Sequence, residues 1–442
     1  MPCGSVVRAL AAVVWVLAAC ESASAPQPLE ARLTAADAWS GGDATLVSAA
    51  FVPPRALPVV RIGAETLAVR RINDSTIGAQ LPAGNGPRTL NVAAPGFVSL
   101  TAQVTLHGFR SSEIGPILSG SLELIPGSTR VLGAGTGLVE VDIRTGAVGR
   151  TWPETVHSSD CAESVGPSVR PGHYVLWGKD SIGGRCTHPW VWRDSLATLE
   201  RLDSVYATPG TWGMAEIGPG GSISGGDDAL SISHCGSTGC AQQFYFNQGG
   251  GLSGVSIAPS ANRAVLHHYF GYLVDATTGD TLGRLPFGPP SASPQMWYYH
   301  LENATFSANE DTIYAVGNQG FYGSKLVLAA SSNGGFIDSL PLPASYAVDV
   351  ALDPVHPWVY VALLAGTTST ALNPQLLIFE RGTLRPIAVL RAPATEALSI
   401  TAWHQFRLVP DPLMHAAYVV ATVQVRQPGP VHAKILRFDL LP

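Results

Sequence analysis

The segment Val255 to His267 reads VSIAPSANRAVLH and decides the fold class of this chain. Its two ends are apolar, and its middle holds residues that favour turns. This pattern predicts two short strands joined as a β-hairpin. Six other segments follow the same plan, each with Pro, Asn, Asp or Gly in the turn. They are Leu122 to Gly133, Val165 to Trp177, Met214 to Ile232, Ala304 to Val316, Val348 to Val361 and Phe406 to Val420.

The seven segments recur at a regular spacing. Their starts lie about 40 to 60 residues apart, close to the unit of roughly 40 to 50 residues that forms one four-stranded propeller blade. Leu138 to Arg150, Tyr272 to Arg284 and Leu376 to Leu390 each add a strand, a turn and another strand. Glycine suits these turns, because hairpin turns need a positive φ that costs glycine little. We therefore predict an all-β chain in which residues 108 to 442 form a seven-bladed β-propeller.

The last blade of this ring lacks a strand. After the seventh hairpin only Lys434 to Leu440 reads as a strand, where a four-stranded blade still needs two. We expect an early strand within Glu113 to Leu118 to supply the missing outer strand. This pairing would close the ring and protect its sheet edges.

In some of the repeating units the second pair of strands contains an Asp, which is followed by Thr and Gly in the turn. The residues are Asp142, Thr145 and Gly146 in one unit and Asp275, Thr278 and Gly279 in another. In this respect the chain resembles YVTN, NHL and quinoprotein-like propellers. The resemblance covers most of residues 108 to 442 and implies a propeller fold, but it indicates no activity. We expect no cofactor.

Residues 29 to 107 show short alternating strands separated by turn residues. Roughly 80 residues of this pattern suit a small β-sandwich. The strands are predicted over Leu46 to Phe51, Val59 to Ile62, Thr76 to Leu81 and Thr89 to Ala93.

The same region resembles the IPT/TIG family of immunoglobulin-like domains, which implies an Ig-like fold. The matching residues are Gly41 to Asp43, Val60 to Gly63, Asp74 to Ile77 and Leu81 to Gly84. The sequence departs from that family before Phe51, where Ala49 and Ala50 stand in place of a usual glycine. Other bacterial Ig-like families therefore remain open.

The first twenty residues have the layout of an export signal. Arg8 precedes an apolar core from Ala9 to Leu17, and small residues lead to Cys20. The core is too short to be a membrane helix, which needs about 20 apolar residues. An ordinary secretory signal, cleaved after Ala19 or Ala25, is one interpretation.

Residues Leu17 to Cys20 read LAAC, which resembles the lipobox of bacterial lipoproteins. The resemblance implies cleavage before Cys20 and attachment of diacylglycerol and an acyl chain such as palmitate to that cysteine. We favour this interpretation. It predicts residues 1 to 19 as a signal peptide and 20 to 28 as a tether. The protein would then be an extracytoplasmic, lipid-anchored component of the cell envelope, in the outer membrane if the source has one.

An even set of four further cysteines remains in the mature chain. They are Cys161, Cys186, Cys235 and Cys240. Disulfides persist in oxidising compartments. Four cysteines allow three pairings, and closeness in sequence favours Cys161 with Cys186 and Cys235 with Cys240. A metal site that uses His188 and His234 is the alternative, but the cysteine and histidine spacings match no zinc signature.

Composition excludes some classes of function. Charged residues are 13% of the chain, against about 25% in average proteins, and 47 Gly and 34 Pro leave little sequence for helices. The net charge is −6, with 26 Lys and Arg dispersed along the chain. Nucleic-acid binding needs a clustered basic patch, so we expect no nucleic-acid partner.

The chain lacks G-x-S-x-G, H-E-x-x-H, P-loop and C-x-x-C motifs. We therefore predict no catalytic or metal-binding residue, and the candidate ligand-facing residues are mainly aromatic. The adjacent His267 and His268 would point to opposite faces of a strand and share no ion; a buried histidine satisfied by the backbone is the simpler interpretation. Trp190 and Trp192 share one strand face, although packing between blades also explains them. Four further candidates lie in a connection between blades that would line the channel mouth: Trp297, Tyr298, Tyr299 and His300.

These features favour a non-enzymatic, membrane-anchored binding or scaffold protein. Its propeller rim would bind protein or carbohydrate, and the Ig-like domain would be a spacer. The alternative is a propeller-type hydrolase or lactonase, in which Glu, Asp, Asn or His residues converge on a metal in the central channel. A third class is an envelope assembly subunit. The sequence indicates no oligomeric state.

Overall fold

The computed structural model describes most of the chain from residue 26 onward. The described residues are 26–33, 37–39, 42–82, 84–118, 122–125, 128–135, 137–153, 164–166, 173–182, 185–195, 201–206, 213–218, 221–225, 229–236, 239–246, 254–267, 271–285, 299–319, 325–342, 346–354, 356–365, 373–391, 408–410, 417–423 and 432–440. The chain divides into two compact units, Met1–Gly108 and Phe109–Pro442. Strands make up nearly all the regular structure, which confirms the all-β prediction. No helix among the described residues has the length and apolar character needed to cross a bilayer.

The first unit contains two larger sheets and one short strand pair within its described residues. The five-stranded sheet has the order Asp37–Trp39, Leu100–His107, Gly86–Ala93, Val59–Ile62 and Glu65–Thr66. The four-stranded sheet has the order Arg32–Leu33, Asp43–Val47, Thr76–Gln80 and Val69–Asn73. The short pair joins Gln27–Pro28 to Phe97–Val98 in parallel.

The two larger sheets share one hydrophobic core. Alternation along each strand sends every second side chain inward. Leu46 and Ile77 from the four-stranded sheet meet Leu90 and Leu106 from the five-stranded sheet in a single buried cluster. The first unit is therefore a β-sandwich.

One predicted strand of the sandwich is too long. Leu46 to Phe51 was expected to be a single strand, but the strand ends at Val47 and Ala49–Phe51 is a turn of 3₁₀ helix. Ser48 causes the break, because its Oγ accepts a hydrogen bond from the Ala50 N–H at 3.1 Å and donates one to the Glu30 carbonyl at 2.6 Å. Serine is a preferred residue for capping a helical turn in this way. The other predicted strands agree with the observed ones within a few residues.

The second unit contains seven four-stranded antiparallel sheets within its described residues. Sheet 1 comprises Leu122–Leu124, Arg130–Gly135, Gly137–Asp142 and Val148–Pro153; sheet 2, Ser164–Gly166, His173–Ile182, Arg185–Ser195 and Arg201–Tyr206; sheet 3, Gly213–Gly218, Gly221–Gly225, Ala229–Gly236 and Gly239–Phe246. Sheet 4 comprises Gly254–Ile257, Arg263–His267, Tyr272–Asp275 and Thr281–Arg284; sheet 5, Tyr299–Phe306, Thr312–Gln319, Lys325–Ser331 and Phe336–Pro341. Sheet 6 comprises Tyr346–Leu352, Trp358–Ala365, Asn373–Glu380 and Pro386–Arg391; sheet 7, Leu408–Pro410, Ala417–Val423, His432–Leu440 and Phe109–Leu118.

The seven predicted hairpins are confirmed, since each falls on the first two strands of one sheet. One boundary is wrong. Met214 to Ile232 was expected to hold two strands, but it also enters the third strand, Ala229–Gly236. The first hairpin of sheet 3 already turns between Gly218 and Gly221, where the chain reads Pro219 and Gly220, a dipeptide typical of turns.

The predicted glycine turns are also confirmed. Gly146, Gly279 and Gly382 have φ values of +73°, +80° and +82°. In two of the turns an aspartate fixes the loop: one Oδ of Asp142 accepts the N–H groups of residues 144 and 145, and Asp275 binds residues 277 and 278 in the same way.

The strand pairing that closes the second unit is confirmed. Phe109–Leu118 pairs antiparallel with His432–Leu440, with Phe109 opposite Leu440. It forms the outer edge of sheet 7, as the strand count predicted, although it begins before Glu113. Asp439 supports the closure, because it accepts hydrogen bonds from Arg437 Nε at 2.5 Å and from Arg110 Nη2 at 3.1 Å.

Candidate functional site

The centre of the second unit is formed by the first strands of its sheets, because the first strands of successive sheets contact one another. Several buried polar side chains lie there. Ser256, Asn303 and Asp349 are on the first strands of sheets 4, 5 and 6, and His267 ends the second strand of sheet 4. We call these four residues the inner polar chain.

Hydrogen bonds link the inner polar chain across three neighbouring sheets. Nε2 of His267 lies 2.7 Å from Oγ of Ser256. Ser256 Oγ in turn lies 2.5 Å from the carbonyl oxygen of Ala304 and 3.2 Å from Oδ1 of Asn303, both in sheet 5. Nδ2 of Asn303 then donates to Oδ1 of Asp349 in sheet 6. Because each member is at most 9% exposed, these bonds replace bonds to water that burial removes.

Asn303 and Asp349 occupy equivalent positions, three residues before the end of their strands. Gly254 holds that position in sheet 4, and His267 is its cross-strand partner. A Cβ at Gly254 would collide with Nδ1 of His267. The imidazole therefore fills the space that a side chain at position 254 would take, and sheet 4 contributes a histidine where its neighbours contribute an amide and a carboxylate.

Irregular strand pairing positions the side chains of Asn303 and Asp349. The register shifts between Leu301 and Asn303, and again between residues 347 and 349. An extra residue in a strand re-aims the side chain that follows it. Each side chain then accepts a hydrogen bond from the next backbone N–H, at 2.7 Å for Asn303 and 2.8 Å for Asp349.

Ser256 and His267 lie at the distance expected of a nucleophile and its base, but the proton assignment opposes that role. A serine hydroxyl has one proton to donate. At 2.5 Å the carbonyl of Ala304 requires that proton. In that arrangement His267 donates from Nε2 to Ser256 Oγ. The pair acts as a structural link between sheets.

Two arginines hold a buried carboxylate in sheet 1. Glu140 is 2% exposed, and it binds Arg130 Nη1 at 2.5 Å and Arg150 Nε at 2.7 Å. Burial opposes ionisation of Glu140, but hydrogen bonds from Arg150 and Arg130 outweigh it and lower the pKa of the carboxyl. Glu140, on the third strand, is thereby bound to the second and fourth strands of sheet 1.

A second buried carboxylate stabilises the first turn of sheet 6. Asp353 is 2% exposed and binds the Tyr360 hydroxyl and the backbone N–H of His356 at 2.7 Å. Burial and the adjacent Asp353 raise the pKa of Tyr360. The His356 ring stacks on Trp358 with centroids 4.1 Å apart. This cluster fixes the turn between the first two strands of sheet 6.

The aromatic candidates are only partly within the described residues. Tyr299 and His300 begin the first strand of sheet 5, a few residues before Asn303 on the same strand. Trp190 and Trp192 lie two positions apart on the third strand of sheet 2. Trp297, Tyr298 and His268 lie outside the described residues. In the part of the chain that the structure describes, no three His, Cys, Asp or Glu residues form a cluster suited to a metal.

The cysteine predictions stay predictions, although the backbone of one pair is suitable. Cys235 and Cys240 are directly opposite in the last hairpin of sheet 3. Opposite residues in antiparallel strands have Cα atoms about 4.5 to 5.5 Å apart, within the roughly 4.4 to 6.8 Å that disulfides need. Cys186 lies on the third strand of sheet 2, and Cys161 and Cys20 lie outside the described residues. Peptide mapping without reduction would test both pairings.

Sequence reasoning missed three members of the inner polar chain: Ser256, Asn303 and Asp349. The available signal was positional, because aligning the hairpin turns of sheets 4 to 6 puts Gly254, Asn303 and Asp349 in one column. A polar residue in an otherwise apolar inner strand marks a buried hydrogen-bonding position. His267 was singled out, and it is buried as expected, but its described partner is the side chain of Ser256 rather than the backbone.

Comparison with known proteins identifies the fold of the second unit. No family model matches the sequence, and no curated protein sequence matches it. Among solved structures, the β-propeller domain of Cps50 (Swd1) from Myceliophteria thermophila is similar, with a TM-score of 0.51 at 11% identity. The match covers 74% of this chain and 99% of that one. At this identity the likeness shows the fold alone, which is a β-propeller.

Proposed function

We propose that this protein is a lipid-anchored, extracytoplasmic binding or scaffold protein of the cell envelope. In this proposal the seven sheets are seven blades, and the first unit is an Ig-like spacer between lipid and propeller. The observation that carries the scaffold part of the proposal is the pairing of Phe109–Leu118 with His432–Leu440. It joins the two ends of the second unit in one sheet and gives a rigid body with few open edges.

A rigid β-propeller is commonly a protein-binding scaffold. Here the inner polar chain adds rigidity at the centre, because it connects three inner strands through buried hydrogen bonds. Buried networks whose members are satisfied favour a single arrangement. The parts that vary in such a scaffold are the connections between sheets, where binding residues are usually found.

We place the ligand at the end of the propeller where the inner strands begin. Tyr299 and His300 begin the inner strand of sheet 5, and the chain before them reads Trp297 and Tyr298. Aromatic residues supply large contact areas to protein and carbohydrate ligands at a low entropy cost. The proposed ligand is therefore a protein or carbohydrate of the envelope that contacts this aromatic segment.

Photo-crosslinking tests the ligand site. A photoreactive amino acid at position 299 should give a discrete adduct in intact cells, because Tyr299 begins the inner strand. The matched control places the same group at Leu282, which is 49% exposed on the outer strand of sheet 4. Identical adducts at both positions, or none at position 299, would contradict a ligand site at the inner-strand end.

Detergent partitioning tests the anchor. The native protein should enter the detergent phase, and Cys20→Ser should move to the aqueous phase because it lacks the acylated thiol. Cys240→Ser is the control: it also removes a cysteine, but that residue lies in a hairpin of sheet 3, and the variant should stay with detergent. Unchanged partitioning of Cys20→Ser would refute lipidation.

A further inference from the structure

Exposed apolar side chains cluster at the end of the first unit where the chain enters it. Val52 and Leu57 are each 40% exposed, Val59 is 43% exposed and Val98 is 53% exposed. Together with the exposed Arg55 they form a surface that we call the entry patch. Single exposed apolar residues are ordinary on soluble proteins, but a contiguous group of them marks an interaction surface.

Contacts made by neighbouring residues bring the segments that carry these side chains close to one another. Gln27–Pro28 pairs with Phe97–Val98, so the chain enters the sandwich beside Val98. The guanidinium of Arg55 lies 5.2 Å from the centre of the Phe97 ring. Val59 is the cross-strand partner of Ala93, close to the same hairpin end.

A second arginine holds the Val52–Leu57 segment in place. Arg71 Nη1 donates to the carbonyl of Phe51, and Arg71 Nη2 donates to that of Arg55 at 3.3 Å. The N–H of Arg55 donates to the carbonyl of Val52 at 3.3 Å. The entry patch is therefore a shaped part of the fold, with two arginines among its apolar side chains.

The distance from the proposed lipid anchor is short. Seven peptide units separate Cys20 from Gln27, and a fully extended chain of that length spans at most about 25 Å. The entry patch thus has to stay near the membrane if Cys20 carries lipid. Apolar side chains beside arginines suit the boundary between headgroups and acyl chains, where arginine keeps its charge among anionic headgroups.

We propose that the entry patch lies on the membrane surface and contacts anionic phospholipid. This inference rests on the proposed lipid anchor. It makes the first unit a membrane-seated base with a defined end toward the bilayer, in addition to a spacer. Arg55 would meet the headgroups, while Val52, Leu57 and Val98 would enter the layer beneath them.

Fluorescence quenching on tethered vesicles tests the proposal independently of acylation. The full mature chain, with Cys20→Ser and a histidine tag at its N-terminus, is attached to vesicles of nickel-chelating lipid and brominated phosphatidylglycerol. A fluorophore on Val98→Cys should lose fluorescence to the bromine atoms. The control is Pro87→Cys, which is also exposed. Pro87 pairs with Thr105, seven residues along the chain from Val98, which is about 24 Å of extended strand, so a fluorophore there should keep its fluorescence. The chain without an added cysteine corrects for other labelled thiols.

The outcomes separate the two proposals. Loss of fluorescence at position 98 but not at position 87 supports the membrane-seated patch, provided that Arg55→Glu weakens the quenching. Equal fluorescence at the two positions overturns it, whatever the native anchor is. If the native protein, which keeps Cys20, does not partition into detergent, lipidation is overturned. The separate partitioning experiment gives that result.

Discussion

Gly146→Ala is expected to lower the free energy of unfolding of the second unit by about 3 kcal/mol. Gly146 turns between the last two strands of sheet 1 with a φ of +73°, which costs an alanine about 1 to 2 kcal/mol. A Cβ there would also strike the backbone of Gly115, with the Gly115 Cα at 3.0 Å and the Ile114 carbonyl carbon at 3.3 Å. These are backbone atoms of one paired strand and cannot yield cheaply, so the collision adds about 1 to 3 kcal/mol.

Gly382→Ala is the matched control for this prediction. It occupies the corresponding turn of sheet 6 with a φ of +82°, and an added Cβ would meet nothing within 4 Å. The free energy of unfolding should therefore fall only by the cost of the positive φ, about 1 kcal/mol. Urea unfolding of both variants measures the difference, because the midpoint falls in proportion to stability when the slope is unchanged.

The excess cost of Gly146→Ala tests ring closure, since Gly115 lies on Phe109–Leu118, the strand that completes sheet 7. The collision therefore occurs where sheet 1 packs against the closing strand. Equal losses for the two alanine variants would show that the closing strand does not press on this turn in solution. A larger loss for Gly146→Ala is the expected result.

Local sequence patterns predicted most of the architecture. In Val255 to His267 the apolar runs and the PSAN turn lie within a few residues of one another, so the hairpin follows from short-range preferences. Closure was also predictable, although its strands are far apart in sequence, because the strand count left the last sheet one strand short and an early strand could supply it. Regular repeats make such counting informative.

The errors and omissions come from contacts that sequence patterns do not encode. Ser48 ends a predicted strand because its hydroxyl finds both the Ala50 N–H and the Glu30 carbonyl. The inner polar chain requires Ser256, in sheet 4, to meet Ala304, in sheet 5. The register shift before Asn303 decides where its amide points, and a one-residue shift of this kind has no clear sequence signal.

Asn303→Asp is expected to destabilise the propeller most among single changes in the inner polar chain. The amide orientation of Asn303 is fixed, because its Oδ1 accepts from the backbone N–H of Ala304 at 2.7 Å. Its Nδ2 therefore faces and donates to Oδ1 of Asp349. Replacing that donor by a carboxylate puts two buried acids against each other, and at neutral pH this should cost about 3 to 5 kcal/mol.

The loss should depend on pH with a definite sign. Two adjacent buried carboxyls cannot both ionise cheaply, so the pKa of one of them rises above its unfolded value of about 3.9. A raised folded-state pKa gives stability that is present at low pH and lost as the pH rises. The deficit of Asn303→Asp relative to the native protein should therefore shrink as the pH falls toward about 4.

Asn303→Leu separates charge from hydrogen bonding. Leucine has a similar volume but no polar atom, so it removes the donor to Asp349 and should cost about 1 to 3 kcal/mol. This change takes the donor away from the buried carboxylate of Asp349 and so raises its pKa in the folded variant. The deficit should therefore also shrink as the pH falls, but by less than that of Asn303→Asp, which adds a second buried carboxyl. Urea unfolding of the three proteins between neutral pH and about pH 4.5 gives both curves. If the Asp and Leu variants lose the same stability at every pH, Asn303 does not face Asp349 in the folded protein, and the inner polar chain is broken at that link.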